Sequence, residues 1–311
     1  MPEKRSSALG IIFFGTGEFA VPALRSLAGH VSLVVSQPDR PSGRGMKLHP
    51  SPVKLAAVDL GLEVATPEKS RAADFVEVLR NLEPEALLVA SYGQILSQAV
   101  LESANRGGIN LHGSILPKYR GAAPIQRAIL NGEKTVGVTL MQMDRGMDTG
   151  DMIEVADTPL GPDETYGELQ DRLAQVAADL ATRWMPRILA GDYPRTPQDG
   201  SLATFAPKVD KSEARLDLLE GAGKTYLRFR AFTPSPGAFL HSTQGLLKIA
   251  RARTHELPAE VGVVASVKDG LLVGCGDGCL EILELQPEGK RRMSGRDFAN
   301  GAHLRPGACL V

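Results

Sequence analysis

The stretch from residue 107 to residue 117, GGINLHGSILP, decides how the N-terminal part of the chain is interpreted. Its apolar residues predict a strand, and the Gly-Ser pair and the proline after them predict that the strand ends near His112. Side chains two positions apart on a strand project from the same face, so Asn110 and His112 should point together. In open α/β sheets, ligands bind outside the carboxyl ends of the strands. We therefore predict a catalytic or binding site at this edge.

Asp148, in the turn MDTGD, is the acidic residue that we expect to complete this site. Taken alone, an aspartate shortly before Gly150 fits an ordinary turn equally well. Together with an amide donor and an imidazole, however, a carboxylate can help to polarise a carbonyl group and to move a proton. These three residue types therefore indicate acyl-group transfer.

The segments before this stretch alternate between apolar runs of strand length and runs of helix length. This alternation is typical of right-handed crossovers, so the predicted fold class is α/β, with a Rossmann-like and mostly parallel sheet. We predict strands at 10–14, 31–36, 62–66, 86–91 and 108–112, and helices near 18–28, 51–61 and 71–81.

After His112 the pattern changes. Two period-two segments, 136–144 and 151–157, should add strands that carry the Asp148 turn between them. A long amphipathic helix should follow from Tyr166, with a capping box formed by Thr165 and Glu168. Pro186 is expected to end or kink this helix.

The C-terminal third has a different character. Residues 190–209 are rich in glycine, proline and polar side chains and are interpreted as a linker, which places a catalytic domain at 1–189 and a second domain at 210–311. Short strand candidates separated by turns predict a small OB-like β-barrel for the second domain, with strands within 237–242, 245–253, 260–270, 271–276 and 279–289.

Composition excludes several classes. The 311 residues carry 35 Lys and Arg against 36 Asp and Glu, a net charge of −1, so the whole chain has no strong attraction to nucleic acid or membrane. Three late cysteines give no disulfide framework and no paired metal motif, and we expect no metal. No signal peptide or apolar stretch of bilayer length is evident, so we expect a cytoplasmic enzyme without a membrane partner.

Two glycine-containing loops allow other interpretations. GTGEFA at 15–20, with Asp39 further on, is a weak match to a dinucleotide-binding fingerprint and leaves a cofactor-dependent oxidoreductase open. The basic loop at 38–52 carries Arg40, Arg44 and Lys47 among glycines and prolines that should prevent regular structure. It is either a mobile surface loop or an arm that contacts nucleic-acid phosphates.

The longest motifs extend this interpretation. Residues 110–133, NLHGSILPKYRGAAPIQRAILNGE, and 137–152, GVTLMQMDRGMDTGDM, closely resemble the 10-formyltetrahydrofolate-dependent formyltransferases. Further tracts, including SYGQIL at 91–96 and LELQPEGKRRMSGRDFANG at 283–301, extend the resemblance over nearly the whole chain and favour the members that act on methionyl-tRNA. Pro234-Ser235-Pro236 departs from the family, which commonly has a tryptophan in this turn.

The resemblance implies a Rossmann-like domain, an OB-like domain that helps to bind tRNA, and transfer of a formyl group from 10-formyltetrahydrofolate to the α-amino group of initiator methionyl-tRNA. It implies a catalytic role for Asn110, His112 and Asp148 and places Arg40, Arg44 and Lys47 at the tRNA acceptor stem. The formyl-folate pocket would comprise Tyr92, Gly93, Ile95, Leu96, Ser114, Ile115, Leu116 and Pro117.

Three alternatives stay open on the sequence. They are a formyltransferase acting on a small amine, such as an amino-sugar nucleotide or glycinamide ribonucleotide, the oxidoreductase, and a non-catalytic RNA-binding module. Nothing in the sequence demands more than a monomer.

Overall fold

The computed structural model describes residues 10–42 and 47–311 and divides into two compact units. The first comprises the chain up to Pro124, Thr135–Thr158 and Gln170–Pro207. The second comprises Ile125–Lys134, Pro159–Leu169 and Lys208–Val311.

Up to residue 207, the described part of the chain forms eleven strands. They are β1 (Ile11–Gly15), β2 (Val31–Val35), β3 (Arg40–Ser42), β4 (Lys47–His49), β5 (Val64–Ala65), β6 (Ala86–Ala90), β7 (Gly108–His112), β8 (Arg120–Gly121), β9 (Thr135–Gln142), β10 (Met152–Pro159) and β11 (Phe205–Ala206). Seven of them form one sheet in the order β10-β9-β7-β6-β1-β2-β5. The neighbours from β7 to β5 are parallel, and β9 is antiparallel to β7. The predicted Rossmann-like, mostly parallel sheet is confirmed.

The centre of this sheet forms where the sequence is continuously apolar. Every residue of β1 (IIFFG) and β6 (ALLVA) is buried, as expected for parallel strands covered on both faces. The parallel strands β2, β1, β6 and β7 all end at the same edge of the sheet. The predicted site residues lie at this edge, at the end of β7 and in the segments that follow β6 and β7.

Within the described residues up to 207, six α-helices accompany these strands: α1 (Val21–Ser26), α2 (Pro52–Asp59), α3 (Ala73–Asn81), α4 (Gln98–Leu101), α5 (Pro124–Leu130) and α6 (Tyr166–Ala190). The helix predicted near 18–28 is shorter, because Pro22 lacks an N–H and is accommodated only in the first turn; Glu18–Ala20 form a separate 3₁₀ turn.

Pro186 does not end α6, which continues to Ala190. The missing backbone hydrogen bond costs about 3 kcal/mol inside a helix. Met185 and Ile188 are buried on either side of the proline, and burial of each side chain contributes about 2 kcal/mol. Packing of the last turn therefore outweighs the break.

The basic loop after β2 is more regular than predicted. β3 and β4 pair antiparallel, with Arg40 opposite His49 and Pro41 opposite Leu48. A proline is tolerated here because, among the strands that the structure describes, β3 and β4 pair with each other alone. The prediction that this loop lacks regular structure is wrong for these six residues. Residues 43–46, including Arg44, lie outside the described residues.

The second unit contains β12 (Phe239–Ser242), β13 (Gly245–His255), β14 (Val264–Ser266), β15 (Leu271–Gly274), β16 (Cys279–Pro287), β17 (Met293–Ser294), α7 (Ala222–Ala231) and α8 (Gly295–Gly301). The strands form an antiparallel sheet in the order β12-β13-β16-β15-β14, with β17 on β16. Register shifts between β13 and β16 are the irregularities that increase the curl of a sheet. Alternate residues of β13, including Leu247 and Ile249, enter one apolar core. The predicted small barrel-like domain is confirmed.

No helix in the described ranges combines the length and the apolar character needed to cross a bilayer. Within the same residues, no three His, Cys, Asp or Glu side chains are grouped so that they could hold a metal ion.

Candidate active site

Asn110 and His112 lie on β7, at the carboxyl end of the parallel part of the sheet. Asn110 is half-buried and His112 is 5% exposed. The antiparallel strand β9 places Met141 opposite Asn110 and Thr139 opposite His112. The strand therefore holds both polar side chains in a largely buried setting.

The two ring nitrogens of His112 have different partners. Nε2 lies 2.9 Å from the carbonyl oxygen of Tyr119, and a carbonyl can only accept, so Nε2 carries a proton and donates it. Nδ1 lies 3.6 Å from Oδ2 of Asp148. The ring nitrogen that faces the carboxylate is therefore Nδ1.

Asp148 reaches this pair from the turn between β9 and β10. Its Oδ2 accepts a hydrogen bond of 2.8 Å from the backbone N–H of Gly121, and its Oδ1 lies 3.4 Å from Nδ2 of Asn110. The structure thus brings together the amide, the imidazole and the carboxylate predicted to act together. Only 17% of the Asp148 side chain is exposed, so the carboxylate interacts in a partly desolvated environment.

The loop after β7 is fastened to β9 by one hydroxyl group. Thr139 Oγ1 donates to the carbonyl of Ser114 at 2.7 Å and accepts from the N–H of Leu116 at 3.1 Å. Ser114 and Leu116 are buried, and the Ser114 hydroxyl donates to the carbonyl of Lys118. Ile115 and Pro117 are the partly exposed members of this segment.

The segment Tyr92–Leu96 follows β6, the strand next to β7, so it lies at the same edge. Tyr92 and Leu96 are buried in the apolar core, whereas Ile95 is 91% exposed. Burial raises the pKa of the Tyr92 phenol. The Tyr92 carbonyl accepts from Thr16 Oγ1 at 2.8 Å, which ties this segment to the turn after β1. Gly93 has φ +85° and supplies the left-handed backbone of the turn.

The groups required for the dinucleotide interpretation have other partners. The N–H groups of Thr16 and Gly17 both donate to the carbonyl of Ser91, at 3.1 and 3.3 Å. Asp39 forms an ion pair of 2.8 Å with Lys54. The turn that would hold a pyrophosphate is therefore closed onto β6, and the acidic residue is paired.

Of the predicted tRNA contacts, the structure describes the side chain of Arg40. It is exposed on β3, and its Nη2 lies 3.4 Å from Gln37 Oε1. Lys47 lies on β4, opposite Ser42. The β3–β4 ribbon follows the carboxyl end of β2, and thus starts from the edge at which Asn110 and His112 lie.

The sequence interpretation missed Thr139 and the Gly121 amide. Thr139 had a usable signal, since it is a single hydroxyl in the buried apolar run of β9. Gly121 contributes a backbone group, and no side-chain pattern could have indicated it.

Two family models match the chain. Residues 11–188 match the one described as formyl transferase, and residues 208–303 match formyl transferase, C-terminal domain. The chain is 46% identical over 307 residues to a methionyl-tRNA formyltransferase from Symbiobacterium thermophilum, covering 96% of this chain and 94% of that protein. It is 43% identical over 310 residues to one from Geobacter metallireducens, covering 98% and 99%.

Among solved structures, the chain resembles an N-formyltransferase from Helicobacter canadensis in complex with folinic acid and dTDP-3-aminofucose. The TM-score is 0.67 at 18% identity, over 88% of this chain and 98% of that one. At this identity the likeness shows a shared fold.

Proposed function

We propose, since the chain belongs to the methionyl-tRNA formyltransferase family, that it transfers the formyl group of 10-formyltetrahydrofolate to the α-amino group of initiator methionyl-tRNA, for translation initiation. One observation carries the catalytic part of the proposal. Asn110, His112 and Asp148, from two separate stretches, converge with contacts of 3.4 and 3.6 Å at the carboxyl end of β7.

The amine substrate needs no covalent enzyme intermediate. An α-amino group has a pKa of about 7.7–8.0, so a useful fraction is neutral and nucleophilic near pH 7. Its nitrogen forms a bond to the formyl carbon while the bond from that carbon to the donor nitrogen breaks. The amine loses one proton and the donor nitrogen gains one, so the enzyme has to stabilise a transient oxyanion and pass on a proton.

We assign stabilisation of the oxyanion to the side chains of Asn110 and His112. Nδ2 of Asn110 carries two N–H groups, and the contact with Asp148 uses one, which leaves the other for the formyl oxygen. His112 has its Nε2 proton held by Tyr119, so Nδ1 is the atom that would exchange a proton beside Asp148. Preorganised donors of this kind contribute about 10²–10³ in rate each.

We assign the folate pocket to the two segments that follow β6 and β7: Tyr92, Gly93, Ile95 and Leu96, with Ser114, Ile115, Leu116 and Pro117. Because the strands are adjacent and parallel, the segments share an edge of the sheet. The buried members form the floor, and the exposed Ile95 offers an apolar surface to a planar heterocycle.

The direct test is incubation with 10-formyltetrahydrofolate and either methionyl-tRNA, an amino-sugar nucleotide or glycinamide ribonucleotide. We expect formylation of methionyl-tRNA at a kcat/KM at least about 10³ times that of either small amine, because recognition of the tRNA adds binding energy. Preferential formylation of a small amine would replace the proposed acceptor and leave the formyl-transfer chemistry in place.

The basic loop at 38–52, with Arg40, Arg44 and Lys47, is proposed to contact tRNA phosphates. Arg40→Ala should raise the KM for tRNA a few-fold and reduce the slope of log kcat/KM against log salt by about one, with little change in the KM for folate. Arg25→Ala is the matched control, since this exposed arginine lies on α1, before the amino end of β2. Equal salt slopes for wild type and Arg40→Ala would exclude a phosphate contact by Arg40.

A further inference from the structure

The turn that carries Asp148 needs support from outside itself. Residues 144–147 are exposed, and Asp148 has φ +54°, in the left-handed region that costs a non-glycine residue about 1–2 kcal/mol. A side chain on such a turn keeps one orientation only if other parts of the molecule fix the backbone.

Gln198 supplies hydrogen bonds to this backbone. Its Nε2 donates to the carbonyl of Asp148 at 2.9 Å and to the carbonyl of Gly150 at 2.8 Å. One side-chain amide therefore spans Thr149 and holds the turn on both sides of it. We propose that Gln198 is a positioning residue for the catalytic carboxylate, with Arg120 orienting Gln198; this inference rests on the proposed function of Asp148.

Arg120 fixes the other end of the same amide. Its Nε and Nη2 donate to Oε1 of Gln198 at 3.1 and 2.7 Å, and the arginine is buried. The amide oxygen and both amide hydrogens of Gln198 are thereby engaged, which determines how the side chain is turned. A buried arginine thus stabilises a neutral amide whose N–H groups point at the turn.

The backbone around Arg120 contacts the site directly. Tyr119, before it, accepts the hydrogen bond from His112 through its carbonyl, and Gly121, after it, donates its N–H to Asp148. Three consecutive residues therefore connect the imidazole, the amide of Gln198 and the carboxylate. A shift of Gln198 should be transmitted to Asp148 through this short segment and through the turn itself.

The Gln198→Glu variant distinguishes positioning of Asp148 from a role in which Gln198 only attaches its own segment to the rest of the unit. It would keep an acceptor for Arg120 and would add an ion pair. It has no N–H for the carbonyls of Asp148 and Gly150, and it would place a carboxylate oxygen against them. If Gln198 only anchors its segment to the unit, Gln198→Glu should be harmless; if it positions Asp148, the variant should be impaired.

The experiment measures formyl transfer to methionyl-tRNA by Gln198→Glu and Gln198→Ala. We expect kcat to fall about 10- to 100-fold, because small displacements of a catalytic group cost this much. The KM for tRNA should change less than about threefold, since no substrate contact is removed. Gln175→Glu is the matched control, an exposed amide-to-acid change on α6 of the same unit, and should behave as wild type. Wild-type kcat in Gln198→Glu would overturn the proposal.

A double-mutant cycle tests whether Gln198 acts through Asp148. In an Asp148→Asn background, Gln198→Ala should cost less than about twofold further, because the group it positions is already disabled. If the fold-losses of kcat from the two single substitutions multiply in the double variant, the proposal is overturned.

Amide hydrogen exchange at Gly121 should accelerate in Gln198→Glu, and this readout is independent of activity. A wild-type enzyme that does not formylate methionyl-tRNA would refute the proposed function, while unchanged exchange at Gly121 would refute the positioning role.

Discussion

Asn110 and His112 reach the site from a buried strand, whereas Asp148 reaches it from a turn preceded by four exposed residues. Asn110 and His112 are held by the sheet, because their strand β7 lies between β6 and β9. The turn is held by hydrogen bonds from Gly121 and Gln198, which belong to other segments. One site thus combines side chains fixed by packing with a side chain fixed by a few polar contacts.

This difference predicts how the strand part and the turn part of the site should respond to substitution. A buried strand is fixed by close packing and by its neighbouring strands, so loss of a single contact should cost stability and leave its position nearly unchanged. A turn with an unfavourable φ moves when one of its few supports is removed. Substitutions of the residues that support the Asp148 turn should therefore affect the rate more than the stability. Substitutions of the residues that support Asn110 and His112 on β7 should do the opposite.

The largest effects should follow removal of the groups that are proposed to take part in the reaction. His112→Ala should lower kcat about 10²- to 10³-fold, and Asp148→Asn at least about 10²-fold, as for loss of a preorganised donor or its partner. The affinity for tRNA, measured by equilibrium binding, should stay nearly intact. The double variant should be little worse than the poorer single variant, because the residues act as a unit. Full activity in both single variants would refute these roles.

Moving the turn while keeping Asp148 should give the next largest effect. A Cβ atom at Gly150 would overlap the backbone carbonyl oxygen of Gln142, which cannot rotate away. Gly150→Ala should therefore displace the turn and lower kcat about 10-fold or more. Gly146→Ala is the matched change in the same turn, where the added Cβ meets the Thr149 side chain, which can move.

The test is to measure the single-turnover rate and the melting temperature of both glycine variants. We expect Gly150→Ala to lose far more rate than Gly146→Ala at a similar melting temperature. If Gly150→Ala turns over at the wild-type rate, the geometry of the turn does not limit the reaction.

The same difference explains what the sequence could predict. β1 and β6 are continuous apolar runs of strand length, so their existence followed from local pattern alone. In β7 the buried Ile109 and Leu111 alternate with Asn110 and His112, and the turn residues after His112 mark the end of the strand. The curled sheet of the second unit was predictable for the same reason, since its strands are separated by turn residues. Burial of a whole strand leaves a signal in its own residues.

The polar supports left no such signal. Gln198 contacts carbonyl groups 48 and 50 positions away, within a stretch whose composition indicates a linker. The β3–β4 ribbon was missed because its strands pair with each other and contain Pro41, which argues against a strand. Contacts between a side chain and a distant backbone group depend on the folded topology, so residue types alone do not reveal them.

The smallest effect on rate should come from the strand side, where Thr139 fastens the loop after β7. Thr139→Val keeps the shape but leaves the carbonyl of Ser114 and the N–H of Leu116 buried without this partner, which costs about 1–3 kcal/mol per group. The surrounding sheet should hold Asn110 and His112 in place, so kcat should change less than about threefold. Amide exchange at Leu116 should accelerate and the melting temperature should fall.

Thr135→Val, at the exposed start of the same strand, is the matched control and should show neither change. A loss of kcat in Thr139→Val as large as that in Gly150→Ala would mean that both halves of the site depend on single hydrogen bonds, and the contrast between strand and turn would no longer hold.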